Sequence, residues 1–376
     1  MLEKLSYQTE LFSNRLSKKY RTLRKWARKN RVCCYRLYDR DIPELPLAAD
    51  LYEFLPDDIT DKIEAAKFLR EEEERISQND PLVAGEIAAR RYLHLFMYER
   101  PFETNDEDEK IWLDAMAKAA AQVLQIEESH VIVKTRKRQK GENQYEKIQS
   151  ERRLTGLVSE CGQLFRVNLS DYLDTGLFFD HRPLRSHVRE ISAGKSLLNL
   201  FCYTGSFSVY AAEGKARRVE SVDLSNTYLS WARENMELNG FSDAKYVFTR
   251  GDVTSFLQKK CAEKADSSNR YDIIILDPPT FSNSKSTQNT LDINRDWPKL
   301  VSDCLNLLAP GGILYFSTNS RRLKFDLAQI PAETKSGAKV TVSDITDHSL
   351  PEDYKGSKNR RCWELKINVI RKRFCP

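Results

Sequence analysis

The feature that most constrains the fold is the stretch Leu197–Asp223, LLNLFCYTGSFSVYAAEGKARRVESVD. It reads as a strand over Leu197–Phe201, a loop over Cys202–Ser206, a helix over Phe207–Glu213 and a second strand ending at Asp223. An apolar run that stops at glycine and resumes with helical spacing is how a buried parallel strand feeds a crossover helix. Gly205 has no Cβ and is expected to let the backbone approach a ligand closely. Asp223 comes 18 positions later, where a nucleoside-binding sheet places a carboxylate for ribose hydroxyls. The loop is not G-x-G-x-x-G, so no further glycine packs against a pyrophosphate. A nucleoside without phosphates, such as S-adenosylmethionine, suits it better than a dinucleotide. The same stretch also reads as a purely structural turn of a doubly wound sheet.

From Leu197 onward the alternation is regular. Strands are expected over Leu197–Phe201, Val219–Val222, Lys245–Phe248, Asp272–Leu276 and Ile313–Ser317. Between them lie helices over Phe207–Glu213, Ser225–Asn239, Val253–Cys261 and Trp297–Leu308. This spacing implies an α/β fold with a mostly parallel, doubly wound Rossmann-like sheet and helices on both faces. Two further strand-like runs, Ala338–Ile345 and Cys362–Ile370, close the chain.

The 376 residues are enough for two domains. No apolar run of about 18 residues occurs, and MLEKLSYQTELFSNRL lacks the apolar core of a signal peptide. Eight scattered cysteines form no C-x-x-C, and there are only five histidines, so no metal site is expected. Reduced thiols and a cytoplasmic location are expected. The net charge of +5 decides nothing by itself, but its distribution is uneven. Residues 11–31 carry nine Lys or Arg and no acid, with Leu11, Leu16, Tyr20, Leu23 and Trp26 at helix-like intervals. A basic amphipathic helix of this kind reads equally as a phosphate-contacting face or as a solvated linker helix.

Residues 32–170 read as a smaller α+β domain. Strands are expected at Tyr35–Tyr38, Arg91–Arg100 and His130–Thr135, with two more around Glu160–Gly162. A helix is expected over Asp106–Ile126, and a helical, acidic insertion over 52–90. The strand HVIVKT runs into a dense basic loop holding Arg136, Lys137, Arg138, Lys140 and Tyr145. Cations beside a ring suit RNA, through phosphate contact and base stacking. Equally, they suit a soluble hairpin tip.

Three carboxylates fall at the ends of successive strands: Asp223, Asp252 in RGDV and Asp277 in ILDPPTF. Ligands of open α/β sheets bind beyond those ends, so all three are expected at one crevice. There Asp223 suits a ribose and Asp252 an adenine amino group. A single such Asp is also an ordinary helix cap. The Asp277-Pro278-Pro279-Thr280-Phe281 corner is stiff, because two prolines fix an extended backbone. It can hold a carboxylate still while Phe281 offers a ring for a base to stack on. Fixed placement is what an in-line displacement between two bound partners needs.

The strings DPPTFSNSK (Asp277–Lys285), NLFCYTGS (Asn199–Ser206), DYLDTGLFFDHR (Asp171–Arg182) and VKTRKRQKGENQY (Val133–Tyr145) together resemble one family. YRLYDRDIPE (Tyr35–Glu44) and NRRCW (Asn359–Trp363) add to the likeness. The chain resembles the RlmK-type 23S ribosomal RNA guanine-N7 methyltransferases, the C-terminal half of fused RlmKL proteins. The resemblance implies a class I methyltransferase domain over residues 171–376, whose tail strand pairs antiparallel. It implies S-adenosyl-L-methionine as methyl donor, S-adenosyl-L-homocysteine as product, and large-subunit ribosomal RNA as the partner. By resemblance Asp180, Arg182, Asn199, Phe201, Tyr203, Thr204, Gly205, Asp223, Asp252 and Asp277 line the cofactor and target crevice. RNA would meet the basic helix of residues 1–31, the Arg136–Tyr145 loop and Lys285. The fused proteins carry an upstream RNA-binding module and an N2-guanine methyltransferase. Neither occurs in this sequence, so targeting is expected from this chain alone.

A neighbouring family with the same layout methylates cytosine C5, which requires a cysteine nucleophile. Thr280, Phe281 and Ser317-Thr318-Asn319 stand where that cysteine is expected. Cys202 and Cys304 read as packed thiols. Guanine N7 carries a free lone pair and loses no proton, which agrees with a site without a Cys–His or Glu–His arrangement. Guanine N2, cytosine C5 and a non-catalytic RNA-binding assembly factor remain the other readings.

Overall fold

The computed structural model describes residues 2–98, 105–136, 154–172, 174–263, 270–282, 290–358 and 360–368. The chain forms two units, Met1–Phe179 and Asp180–Pro376.

The first unit opens with α1 (Leu2–Lys29). Phe12, Leu16, Leu23 and Ala27 form a buried stripe on one side of it. Strands β1 (Cys34–Asp39) and β2 (Leu47–Glu53) pair antiparallel. Helices α2 (Lys62–Ser77) and α3 (Val83–Ala89) follow. Then come β3 (Arg91–Tyr98), α4 (Asp106–Leu124) and β4 (Val131–Arg136). The sheet runs β1-β2-β3-β4, with β4 parallel to β3. Helix α1 packs on α4 and on β1 around Tyr35, Leu51, Leu95 and Met116. A hairpin, β5 (Thr155–Glu160) and β6 (Gln163–Asn168), turns at Cys161 and Gly162, both at positive φ.

The second unit begins with α5 (Arg182–Ile191), then β7 (Ser196–Leu200), α6 (Ser206–Glu213), β8 (Arg218–Asp223) and α7 (Asn226–Leu238). Next come β9 (Tyr246–Arg250), α8 (Val253–Ala262) and β10 (Tyr271–Leu276). The two-residue strands β11 (Phe281–Ser282) and β12 (Leu291–Asp292) pair with each other. They precede α9 (Ile293–Leu307), β13 (Leu308–Thr318), β14 (Val340–Asp344), α10 (Thr346–Ser349) and β15 (Arg361–Ile367). The sheet order is β14-β15-β13-β10-β7-β8-β9. All its strands run parallel except β15, which inserts antiparallel between β13 and β14. Order reverses between β7 and β10, so a crevice opens at the carboxyl ends of those two strands. Behind it Leu198, Ile274, Leu276, Trp297, Leu300 and Phe316 form a closed apolar core. Each such side chain contributes about 1.5–3 kcal/mol of burial.

Among the elements that differ from the sequence expectation are β2 and α5. Strand β2 begins at Leu47, in a segment for which no strand was expected, and takes Tyr52 and Glu53 from the expected insertion. Six of its seven residues are buried, so it shows no alternation to read. Helix α5 was not expected, because Leu184 and Val188 are its only buried apolar residues and share its buried face with Arg182 and Arg185.

Candidate active site

The site is built from the tips of β7, β8 and β10, which point the same way because the strands are parallel. After β7 the chain turns sharply, with Phe201, Tyr203 and Gly205 at φ of +54°, +51° and +75°. Two non-glycine residues in the left-handed region within three positions mark a constrained loop. The Tyr203 ring wedges against Tyr228, 4.6 Å away and edge-on. A Cβ on Gly205 would sit 2.8 Å from the Ala232 Cβ. The glycine is thus required by its φ and by the close approach of α7.

Asp223 ends β8. Its Oδ2 accepts the Tyr203 N–H at 3.0 Å and its Oδ1 the Ser225 N–H at 2.9 Å. Burial pushes its carboxyl above the usual aspartate range, although these backbone bonds oppose the rise. Two oxygens offer about four lone-pair sites, so the carboxylate can still accept hydroxyl donors. Asp252 lies just past β9 and caps α8, its Oδ2 accepting from the Ser255 N–H at 2.8 Å and the Ser255 hydroxyl at 2.9 Å. The capping role and the strand-tip position coexist at this residue.

Three residues expected to line the crevice make internal contacts. Asn199 is 2% exposed, and its Nδ2 donates to Ser208 Oγ at 2.9 Å, which in turn meets Ser221 Oγ at 2.7 Å. Arg182 donates to Asp353 at 2.8 Å in a fully buried ion pair. Thr204 is buried, and its carbonyl accepts from Asn235 Nδ2 at 2.9 Å. Phe201 packs partly buried against the core.

Asp277 follows β10 directly. Ser317 Oγ donates to its Oδ1 at 2.5 Å, and His181 Nε2 faces its Oδ2 at 3.0 Å. Burial would raise this carboxyl, but the charge His181 carries when protonated, the hydrogen bonds from His181 and Ser317 and the charge of Arg360 outweigh it and hold Asp277 down at about 2. Beyond Pro278 and Pro279, Thr280 Oγ1 donates to Asn319 Oδ1 at 2.8 Å, which ties the corner to the end of β13. Phe281 is 52% exposed, so its ring is not core.

Sequence reasoning missed His181, Ser317, Asp353 and Arg360. His181 sits inside DHR and Arg360 inside NRRCW, both recognised as strings without a role for either side chain. In the first unit, Arg136 ends β4. Lys137, Arg138, Lys140, Tyr145 and Lys285 lie outside the described residues.

Residues 93–336 match the family model described as S-adenosylmethionine-dependent methyltransferase. The chain is 41% identical over 361 residues to ribosomal RNA large subunit methyltransferase K of Neisseria meningitidis, covering 94% of this chain and 86% of that one. The chain belongs to this methyltransferase family. The Pseudomonas putida relative, named ribosomal RNA large subunit methyltransferase K/L, is 38% identical over 97% of this chain, which spans only 43% of it. Two solved structures share the fold at 21% identity. SMU.776, complexed with SAH, has a TM-score of 0.66 and covers 96% of this chain and 82% of its own; a methyltransferase from Streptococcus mutans has 0.64, covering 96% and 81%. A class I methyltransferase sheet is therefore the fold, and S-adenosyl-L-methionine is the family's cofactor. The donor set fits such a nucleoside: a partly satisfied, buried carboxylate at Asp223 beside a tightly turned loop.

Three buried thiols, those of Cys202, Cys304 and Cys362, are poor nucleophiles. Burial pushes the Cys202 and Cys304 thiols well up and that of Cys362 up to about 12. Among the described residues no cluster of His, Cys, Asp or Glu could hold a metal. No described helix is long and apolar enough to cross a membrane.

Proposed function

We propose that the protein methylates guanine N7 in 23S ribosomal RNA of the large subunit, using S-adenosyl-L-methionine. The observation that carries this reading is that the carboxylate and the imidazole facing each other at the proline corner are both already held by partners. Both oxygens of Asp277 accept hydrogen bonds, and both nitrogens of His181 are engaged, by Asp277 and by Arg360. Among the described residues each of these two groups is already engaged, and burial pushes the Cys202, Cys304 and Cys362 thiols up, away from the thiolate that attacks a ring. When bound, the donor supplies an electrophilic methyl on a sulfonium; a purine nitrogen that already bears a lone pair needs no base to accept it. This favours N7 over the N2 amine, which must lose a proton, and over cytosine C5, which needs a thiolate.

In this reading Asp223 takes the ribose hydroxyls and Asp252 the adenine amino group, beside Asp180, Phe201, Tyr203 and Gly205. Arg182, Asn199 and Thr204 hold those neighbours in place. Asp277, Pro278 and Pro279 position the target base and Phe281 stacks on it. Proximity and electrostatics then supply the rate. The names of the relatives support a ribosomal RNA substrate. So does α1, where Lys18, Arg21, Lys25, Arg28 and Lys29 fall on one exposed face at intervals of three and four. Phosphate contact by that face and by the Arg136–Tyr145 segment is the proposed RNA grip. Mapping 7-methylguanosine in ribosomal RNA from cells with and without this chain tests the reading. One large-subunit guanine should lose its methyl; unchanged 7-methylguanosine throughout would reject it.

A further inference from the structure

We infer that His181 is a positioning residue for the reaction, held by Arg360 in the one tautomer that lets it clamp Asp277. The inference rests on the proposed role of Asp277 in the transfer. Arg360 is 3% exposed, and its guanidinium donates to the Ser349 carbonyl and hydroxyl, each at 2.8 Å. The same group donates to His181 Nδ1. A guanidinium has donors and no lone pair, so Nδ1 must be the acceptor. The ring proton then sits on Nε2, where it donates to Asp277 Oδ2 at 3.0 Å. His181 is itself 5% exposed, with its ring edge-on to Phe207 at 5.4 Å and 74°. Both the ring and the guanidinium are buried and held by partners.

The consequence is a rigid link between two parts of the crevice. His181 stands between Asp180 and Arg182, in the segment assigned to the methyl donor, and reaches the carboxylate of the corner assigned to the target base. Ser317 fixes the other oxygen. Asp277 therefore cannot rotate, and the corner that follows it is set relative to the donor segment. A shift of about 1 Å in such a pair costs on the order of 10²-fold in rate.

Two measurements test this. In the first, nitrogen-15 NMR of the imidazole-labelled wild-type protein reads the tautomer without any activity. A proton on Nε2 of His181 is expected; a proton on Nδ1, or rapid exchange between the two, overturns the inference. In the second, His181→Phe and His181→Gln are compared. Gln can present its amide N–H near the Nε2 position, whereas Phe fills the space without a donor. His181→Phe is expected to lower kcat about 10²-fold while S-adenosyl-L-methionine affinity by calorimetry stays within about threefold. His181→Gln is expected to recover most of kcat. Equal kcat in the two variants removes the donor role. If His181→Phe does not fold, His181→Gln and the tautomer decide. A different methylated atom would sink the guanine-N7 reading and leave the tautomer result standing.

Discussion

At the scale of single residues, Asp277 and Asp223 carry opposite perturbations, and each has a pH signature. Asp277 titrates at about 2 instead of 3.8, so its ionised form is the one the fold stabilises. That stability is fully present above 3.8 and is lost as pH falls through about 2. Its side chain is 31% exposed, so after screening the contribution is about 1–2 kcal/mol. Urea unfolding of Asp277→Asn against wild type is expected to show a difference at neutral pH that vanishes in acid, while methyl transfer falls at least about 10²-fold. A variant with normal turnover would remove Asp277 from the reaction. Asp223 is pushed the other way, by burial. The ionised form is the one that accepts hydroxyl hydrogen bonds, so donor affinity should weaken as pH falls through this raised pKa. Calorimetric titration across that range should show the weakening, and Asp223→Asn should abolish its pH dependence; an unchanged profile would move the ribose elsewhere.

At the scale of elements, the parallel alternation was legible because buried strands and crossover helices differ in period. β7, α6, β8, α7 and β10 all appear within a few residues of their expected limits. What hid β2 was burial on both faces, which erases the period-two signal. What hid α5 was its two buried arginines, which interrupt the apolar stripe that would have marked a buried face. Arg182 pairs with Asp353, 171 positions on, and His181 meets Arg360, 179 positions on. The three strand-tip carboxylates could be read from local pattern; the side chains that clamp one of them could not, because only the tail strand β15 brings Arg360 to the crevice. The loop before α6 gives a direct test. Gly205→Ala adds a Cβ at positive φ against Ala232, so a loss of about 1–3 kcal/mol in unfolding free energy is expected, with weaker donor binding. An unchanged stability would show that α7 yields.

At the scale of the whole molecule, a strong fold assignment coexists with a basic surface far from any expected catalytic residue in sequence. Nine cations and no acid across residues 11–31, with Lys18, Arg21, Lys25, Arg28 and Lys29 on one exposed face of α1, make a stripe suited to a phosphate backbone. Neutralising Lys18, Arg21 and Lys25 together should weaken RNA binding and lower its log–log salt slope by about 2–3. An unchanged slope would leave that face as a solvated helix. The central claim is that a held, rigid corner presents a purine nitrogen to a methyl donor without a base or a covalent step. Its most direct measurement is the identity of the nucleoside formed when purified protein, S-adenosyl-L-methionine and large-subunit RNA are incubated together. The account predicts 7-methylguanosine, lost in Asp277→Asn; formation of 5-methylcytidine or N2-methylguanosine in its place would contradict it.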